Sequence, residues 1–519
     1  MGNPGPKEVT MNRQRMRTMG TNNSGSVTAM LDRRAFLRVG AMGLAASLCD
    51  LTEPAHAVGA TPISRDSARP PNVLFVFSDM QRAYSMGCYG DANARTPVLD
   101  AFAKQGARLD AAMSNTPVCC PYRACLMSGQ YAHRHGVMSN GVTFRPTVKC
   151  IAETFRDAGY ETGYSGKWHI SPPKDAKDPT YGFPSRETEF GFYRTDRQSA
   201  NVTDVALKFI TEKSKGPKPW MLFVSWILPH TPYKAPEGYM EHFSQIAIPP
   251  NVPEGLATEN VKQCLPDYYG MIESLDDEFQ RLLQALDQAG VADDTIIVYS
   301  SDHGDMIGSQ GLKAKRWPYE ESARIPFLIR YPRAIKPGTV IADPFGSPDV
   351  YPTLAGLAGL KAPAGVDGAD FSPLLRGETT KPPRDYVYLV MPYAYVPWPG
   401  WRALRTRQYM YARTKDKPWF LFDLKNDPWE KRNLVDDPSQ KALVREFDDR
   451  LVSIMRETGD SWGITTTTGD LQSWVPGGPK QQSQSLGVDF PGKAFRQVEG
   501  DRKGKVKEGK RAKRQKAGA

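Results

Sequence analysis

Four short apolar runs, each ending in residues that carry charge or titrate, constrain this chain more than any other feature. They are Asn72-Val-Leu-Phe-Val-Phe77 before Ser78-Asp79, Glu161-Thr-Gly-Tyr164 before Gly166-Lys-Trp-His169, Trp220-Met-Leu-Phe-Val-Ser225 before Pro229-His230, and Thr295-Ile-Ile-Val-Tyr299 before Asp302-His303. Apolar runs of this length without alternation read as strands buried on both faces, as in a parallel sheet covered by helices. Helix-length amphipathic stretches lie between them, at 98–107, 150–158, 204–213 and 268–289. The pattern predicts an α/β fold. In such sheets ligands gather beyond the carboxyl ends of the strands, so the polar residues that close these runs are expected along one edge.

A second feature is Asn115-Thr-Pro-Val-Cys-Cys-Pro-Tyr-Arg-Ala-Cys-Leu-Met-Ser-Gly-Gln130, which places Cys119 two residues before a proline and four before an arginine. Proline has a φ suited to a first helical turn and no N–H left over there. Cys119 is therefore expected just outside a helix start, where free amides and the positive dipole end attract an anion. Arg123 adds a permanent cation with a planar fork of donors. Cys119 and Cys120 read equally well as a pair of buried small hydrophobes.

Cys119, Pro121, Arg123 and Ser128-Gly129 resemble the sulfatase signature, Cys-x-Pro-Ser-Arg followed by a small-residue-Gly pair. The resemblance implies that a formylglycine-generating enzyme converts Cys119 to Cα-formylglycine, whose hydrate is the nucleophile. Tyr122 stands where the family usually has Ser. The strand-end residues resemble the same family over roughly residues 70–435, in order. Asp79 falls on its metal-binding aspartate, Lys167 and His169 on Gly-Lys-Trp-His, His230 on His-x-Pro-Tyr, Asp302 and His303 on the second metal pair, and Lys315 on the lysine that reaches the sulfate. The implied fold is alkaline phosphatase-like, a large mixed sheet flanked by helices with a smaller C-terminal α+β domain on an antiparallel sheet. The implied catalytic set is Cys119, Arg123, Lys167, His169, His230 and Lys315, and the implied metal ligands are Asp79, Cys119, Asp302 and His303.

An oxygen-rich site suits a hard ion such as Ca2+, which is also the metal the resemblance implies. Met80 replaces the second aspartate of many members, and a thioether is a poor ligand for a hard ion. Gln81 or a water is expected to fill the gap, with weaker metal affinity. His303 replaces the asparagine of some relatives, a variant shared with phosphonate monoester hydrolases, and imidazole leaves Mn2+ or Zn2+ open. Taken singly, Asp79 also reads as a helix cap, His230 as a loop end and Lys167 as a solvated charge. His133, His135 and His242 read as structural and stay outside the predicted site.

Past Arg376 the runs Trp401–Thr406, Tyr409–Tyr411 and Trp419–Asp423 alternate as in an antiparallel sheet, with a helix expected from Gln440 to Met455 over it. Asn426-Asp-Pro-Trp-Glu430 and Asn433-Leu434 resemble the characteristic turn and exit of the small sulfatase C-terminal domain. Tyr393, Tyr395, Trp398 and Trp401 offer either domain packing, the favoured reading, or a sugar-stacking face. The expected division is a signal segment at 1–57, a catalytic domain at 70–376, a C-terminal subdomain at 384–458 and an irregular, basic tail at 459–519.

Asp32-Arg-Arg-Ala-Phe-Leu-Arg38, the apolar stretch to Leu48 and Ala55-His-Ala57 resemble a twin-arginine export signal, with an over-extended start before Met30. The stretch is too short to span a bilayer, so a soluble periplasmic or secreted product of the twin-arginine translocase is expected, with no membrane in the mature form. The seven cysteines hold no Cys-x-x-Cys pair and fit neither a zinc knuckle nor a dense disulfide framework. The net charge of +10 sits in the ends: residues 1–57 contribute +3 and residues 493–519 contribute +8, leaving −1 for the middle. That pattern gives no support for nucleic-acid binding by the core. The expected substrate is a sulfate ester, a carbohydrate sulfate first and aryl or choline sulfate behind it. The rivals are a phosphonate or phosphate ester hydrolase of the same superfamily, an unmodified non-catalytic anion-binding relative, and an exported structural protein.

Overall fold

The computed structural model describes residues 69–183, 198–393 and 399–461. Seven strands form the main sheet: β1 Asn72–Ser78, β2 Ala107–Met113, β3 Glu161–Gly166, β4 Trp220–Ser225, β5 Thr295–Ser301, β6 Phe327–Arg330 and β7 Thr339–Gly346, in the order β3-β4-β1-β5-β6-β2-β7. β1 pairs parallel with β4 and β5, β3 with β4, and β2 with β7, whereas β6 runs antiparallel to both its neighbours. Every strand but β6 therefore ends at the same edge. The sheet is mixed, as expected.

β1 lies inside the sheet between β4 and β5, and its period of two feeds two cores. Val73, Phe75 and Phe77 face a core shared with the helices Cys119–Ser128 and Ile151–Asp157. Leu74 and Val76 face the other, shared with the helices Gln198–Lys213 and Leu256–Gln288. Burial on both sides explains why these strands read as unbroken apolar runs.

Leu256–Gln288 corrects the expected helix start at Tyr268, because the helix runs straight through Pro266. The proline removes one backbone donor, and the buried stripe of Val261, Leu265, Tyr268, Tyr269 and Ile272 holds the helix on both sides of it. Cys119 is the first residue inside its helix, with Val118 as N-cap, rather than just outside it. Pro121 still falls in the first turn, where its missing N–H leaves nothing unpaired.

The second sheet contains β8 Tyr386–Tyr393, β9 Pro399–Thr406, β10 Tyr409–Thr414 and β11 Pro418–Asp423, all antiparallel, in the order β11-β10-β9-β8. One face packs Val387, Leu389, Met391 and Trp401 against Met113, Val118 and Ala323 of the part of the chain that holds the main sheet. The other is covered by the helix Lys441–Glu457 through Phe447, Leu451, Ile454 and Met455. At the junction, Val390 N donates to Asn115 O (2.7 Å) and Asn115 Nδ2 donates to Tyr388 O (2.6 Å), so the loop ahead of Cys119 is fastened to β8. Trp401 is buried and its Nε1 donates to Arg316 O (2.9 Å), a packing role. Tyr395 and Trp398 lie outside the described residues, as do the segment 1–57 and the chain beyond residue 461.

Contacts divide the chain into Met1–Thr61 and Pro62–Ala519, and all the described residues belong to the second unit. Among the described residues the cysteines at 88, 119, 120, 125, 150 and 264 are unbonded, and no helix is long and apolar enough to cross a membrane.

Candidate active site

Asp79 follows β1, Lys167 and His169 follow β3, His230 follows β4, and Asp302 and His303 follow β5. The parallel register places these ends side by side, and the backbone closes them together: Asp302 N donates to Ser78 O (3.1 Å) and Asp79 N to Leu228 O (3.2 Å). Cys119 enters from the first turn of the helix that follows β2, and Lys315 from the loop after β5. The structure thus brings every predicted site residue to one edge. It leaves His133, His135 and His242 outside: His135 is buried with Nε2 3.4 Å from Cys125 Sγ, His133 Nε2 lies 3.0 Å from Thr458 O, and His242 pairs with Glu273 on the surface.

Asp79 is fully buried, and its Oδ2 accepts from Lys167 Nζ (2.5 Å) and Arg123 Nη2 (3.2 Å). The same Nη2 donates to Asp302 Oδ2 (3.2 Å), while Asp302 Oδ1 accepts from Met80 N (3.2 Å). Arg123 Nη1 donates to Lys167 O (2.6 Å), Ser225 Oγ (2.7 Å) and Tyr164 OH (3.3 Å), with its guanidinium 4.8 Å from the Phe77 ring centre. Its Nη donors are therefore engaged by groups of the protein itself, the two carboxylates among them. Sequence reasoning did not single out Tyr164 and Ser225, because both sit inside apolar strand runs.

Cys119 Sγ lies 3.3 Å from His303 Nε2, 3.1 Å from Lys315 Nζ and 3.8 Å from Asp79 Oδ1, and it shares a hydrogen bond with the His169 ring. Burial pushes this thiol up, but Lys167, Lys315 and His303 outweigh it and hold it well below the ordinary range. His303 Nδ1 donates to Gly304 O (2.9 Å); burial pulls this imidazole down, but the charges of Asp302 and Cys119 outweigh it and raise it above its ordinary value. His230 has the same arrangement: its Nδ1 donates to Thr231 O (2.7 Å), and its Nε2 lies 3.4 Å from Lys315 Nζ. Burial, reinforced by the Lys315 charge, lowers His230 to about 4. Asn140, which carries no sequence signal, accepts from Cys120 N through Oδ1 (3.0 Å) and satisfies an amide at the helix start.

The donor set suits a divalent cation. Ligand atoms of Asp79, Cys119, Asp302 and His303 all lie within 4.8 Å of one another, and all four residues are buried. Burial, then the charge of Asp79, pushes Asp302 up to about 7. Two buried carboxylates beside an anionic sulfur repel one another, and a cation among them relieves that repulsion. Gln81 does not fill the place left by Met80, because its Oε1 already accepts from Ser78 Oγ (2.8 Å) and Tyr299 OH (2.7 Å).

A mixed sheet whose carboxyl edge gathers two carboxylates, a low-pKa cysteine sulfur, imidazole rings and two lysines defines an alkaline phosphatase-like hydrolase. Residues 71–360 match the Sulfatase family model, and residues 308–457 match the model of the N-sulphoglucosamine sulphohydrolase C-terminal region. An ulvan-active sulfatase from Formosa agariphila is 32% identical over 428 residues, covering 77% of this chain and 83% of the relative. A structure solved with its substrate D-glucosamine-2-N,6-O-disulfate has a TM-score of 0.69 at 23% identity, covering 77% of this chain and 100% of the other. The phosphonate monoester hydrolase of Agrobacterium radiobacter has a TM-score of 0.67 at 22% identity, covering 76% and 97%. These two structures speak to the fold. The chain belongs to the sulfatase family and is an enzyme of the sulfuric ester hydrolase class.

Proposed function

We propose that this protein is an exported sulfatase that hydrolyses a sulfate monoester of a carbohydrate. The observation that carries the reading is the packing of Asp79, Cys119, Asp302 and His303 within 4.8 Å, beside Lys167 and Lys315 at the sheet edge. The carbohydrate substrate is supported by the 32%-identical relative, which is active on ulvan. Position 119 is the site for a formylglycine-generating enzyme, and the aldehyde hydrate would supply the hydroxyl that attacks sulfur. Asp79, Asp302, His303 and position 119 would hold the divalent ion, calcium first and manganese or zinc next, which when bound polarises sulfate oxygens.

The chain's own residues divide the remaining work. Lys167 and Lys315 flank position 119 and offset negative charge on the transferring group. Arg123 acts from behind by fixing the two carboxylates that it bridges, rather than by gripping the anion itself. Asp302 is placed to accept a proton from position 119. The departing alcohol oxygen takes its proton from the Lys315–His230 pair, in which Lys315 holds the proton and His230 accepts a hydrogen bond from it. His169, hydrogen-bonded to Cys119, receives the proton that leaves position 119 when sulfate is expelled.

The test is turnover of a sulfated monosaccharide by protein made with its modifying enzyme, against a Cys119→Ser variant. The parent is expected to release many equivalents of sulfate and of desulfated sugar per enzyme, and the variant at most one equivalent of desulfated sugar with the sulfate retained on the serine, because a serine ester has no second hydroxyl to expel sulfate. Steady multiple turnover by the serine variant contradicts the scheme. The histidine at position 303 favours a second reading, hydrolysis of phosphonate or phosphate esters. Paired sulfate and phosphonate esters of one alcohol separate the two by rate.

A further inference from the structure

The C-terminal turn Asn426-Asp-Pro-Trp-Glu430 is not used by the chemistry above, yet it inserts into the catalytic region. Tyr84 OH donates to Pro428 O (3.2 Å), and the Tyr84 and Trp429 rings stack at 5.2 Å. Gln310 Nε2 donates to Trp429 O (2.9 Å) and Glu430 O (3.0 Å), and Asn251 Nδ2 donates to Trp429 O (3.1 Å). Glu430 itself is 2% exposed with φ 50°, and its Oε2 accepts from Glu320 N (2.8 Å).

Glu320 opens the short helix Glu320–Ala323, which touches three separate parts of the active site. Gly304 N, next to the Asp302-His303 pair, donates to Ser322 O (2.9 Å), and a Cβ at Gly304 would meet Glu321 O at 2.0 Å, so the approach requires glycine. Trp317 N, two residues after Lys315, donates to Ser322 Oγ (3.2 Å). Ser114 N, in the loop that leads to Cys119, donates to Ala323 O (2.7 Å). The helix is thus the common support of the metal pair, the sulfate lysine and the nucleophile loop, and the C-terminal subdomain holds it twice. Arg405 of β9 donates to Glu320 Oε1 (3.0 Å), and Glu430 accepts from its first N–H.

We propose that Glu430 is a positioning residue for sulfate-ester hydrolysis, acting through the helix Glu320–Ala323 to set Asp302-His303, Lys315 and the Cys119 loop relative to one another. A third carboxyl beside Glu320 and Glu321 is an unfavourable neighbour if ionised. Burial, with Glu321 and Glu320 adding to it, keeps the Glu430 proton on well above the ordinary range. A neutral carboxyl and a carboxamide have the same shape and the same acceptor oxygen, so glutamine is expected to replace this residue and an apolar side chain of similar bulk is not.

This inference rests on the sulfatase reading, and the unaltered chain, assayed alongside, reports on that reading by itself. Full-length Glu430→Gln and Glu430→Met are compared with it for kcat and KM on a sulfated monosaccharide and for thermal midpoint. Expected is kcat within about threefold of the parent for Glu430→Gln, but about tenfold or more lower for Glu430→Met, on the scale of small misplacements of reacting groups. Both midpoints are expected to stay within about 2 °C of the parent. Equal kcat in the two variants overturns the proposal. So does a Glu430→Met chain that fails to fold, since the residue is then structural.

Discussion

At the scale of single residues, the site is a balance of buried charges, and the position where it departs from its family shows this best. Met80 adopts φ 69° and is buried, and its N–H faces Asp302 Oδ1, so the backbone stays in place while the side chain brings no anion. Met80→Asp restores a hard oxygen donor. Calcium titration of the metal-free variant is expected to show binding about tenfold or more tighter than the parent, with a lower thermal midpoint without metal because a third carboxylate joins the pocket. Unchanged or weaker calcium binding would contradict the view that position 80 limits the site. Arg123 shows what residue-level reading misses. Its motif position predicts an anion partner, and it has anions, but they are Asp79 and Asp302 of its own chain. Gln81 fails as a substitute ligand for a similar reason: Ser78 and Tyr299 claim its oxygen, and neither competitor is visible in a local motif.

At the scale of elements, the strands that hold the chemistry were legible because double burial removes alternation and leaves an unbroken apolar run before a polar end. β2, with the sequence Ala-Arg-Leu-Asp-Ala-Ala-Met, gave no such signal, since small and charged residues interrupt it. The long helix was legible only beyond Pro266, because one lost hydrogen bond reads locally as a boundary and its cost is met by packing elsewhere. The C-terminal sheet is locked by a buried pair that follows its covering helix. Asp460 receives Arg402 Nε (2.5 Å), Arg402 Nη2 (3.1 Å) and Tyr388 OH (2.6 Å). Burial alone would raise its carboxyl, but Arg402 outweighs it and draws it down to about 2. A carboxyl lowered on folding stabilises above its unfolded value near 3.9, and that stability is lost as pH falls toward 2. Asp460→Asn is therefore expected to lower stability at pH 6 by at least about 2 kcal/mol. Urea unfolding should show the gap between variant and parent shrinking between about pH 4 and pH 2.5. A gap that stays constant over that interval would assign the effect to packing alone.

At the scale of the whole molecule, the fold explains why residues from across some 240 positions meet: every strand but β6 delivers its carboxyl end to one edge, and a second sheet presses on the loops that complete it. The candidate site was legible almost entirely, since each member closes an apolar run or lies in a strong motif. The support behind it was not, because Tyr164, Ser225, Asn140 and Glu430 act through hydrogen bonds whose partners lie far away in sequence. The central claim is that position 119 becomes an aldehyde inside this ring of charges. The mass of the tryptic peptide ending at Arg123, from protein made in its native host, tests it most directly. Formylglycine at position 119 is the expected result, and an unmodified thiol there would contradict the account.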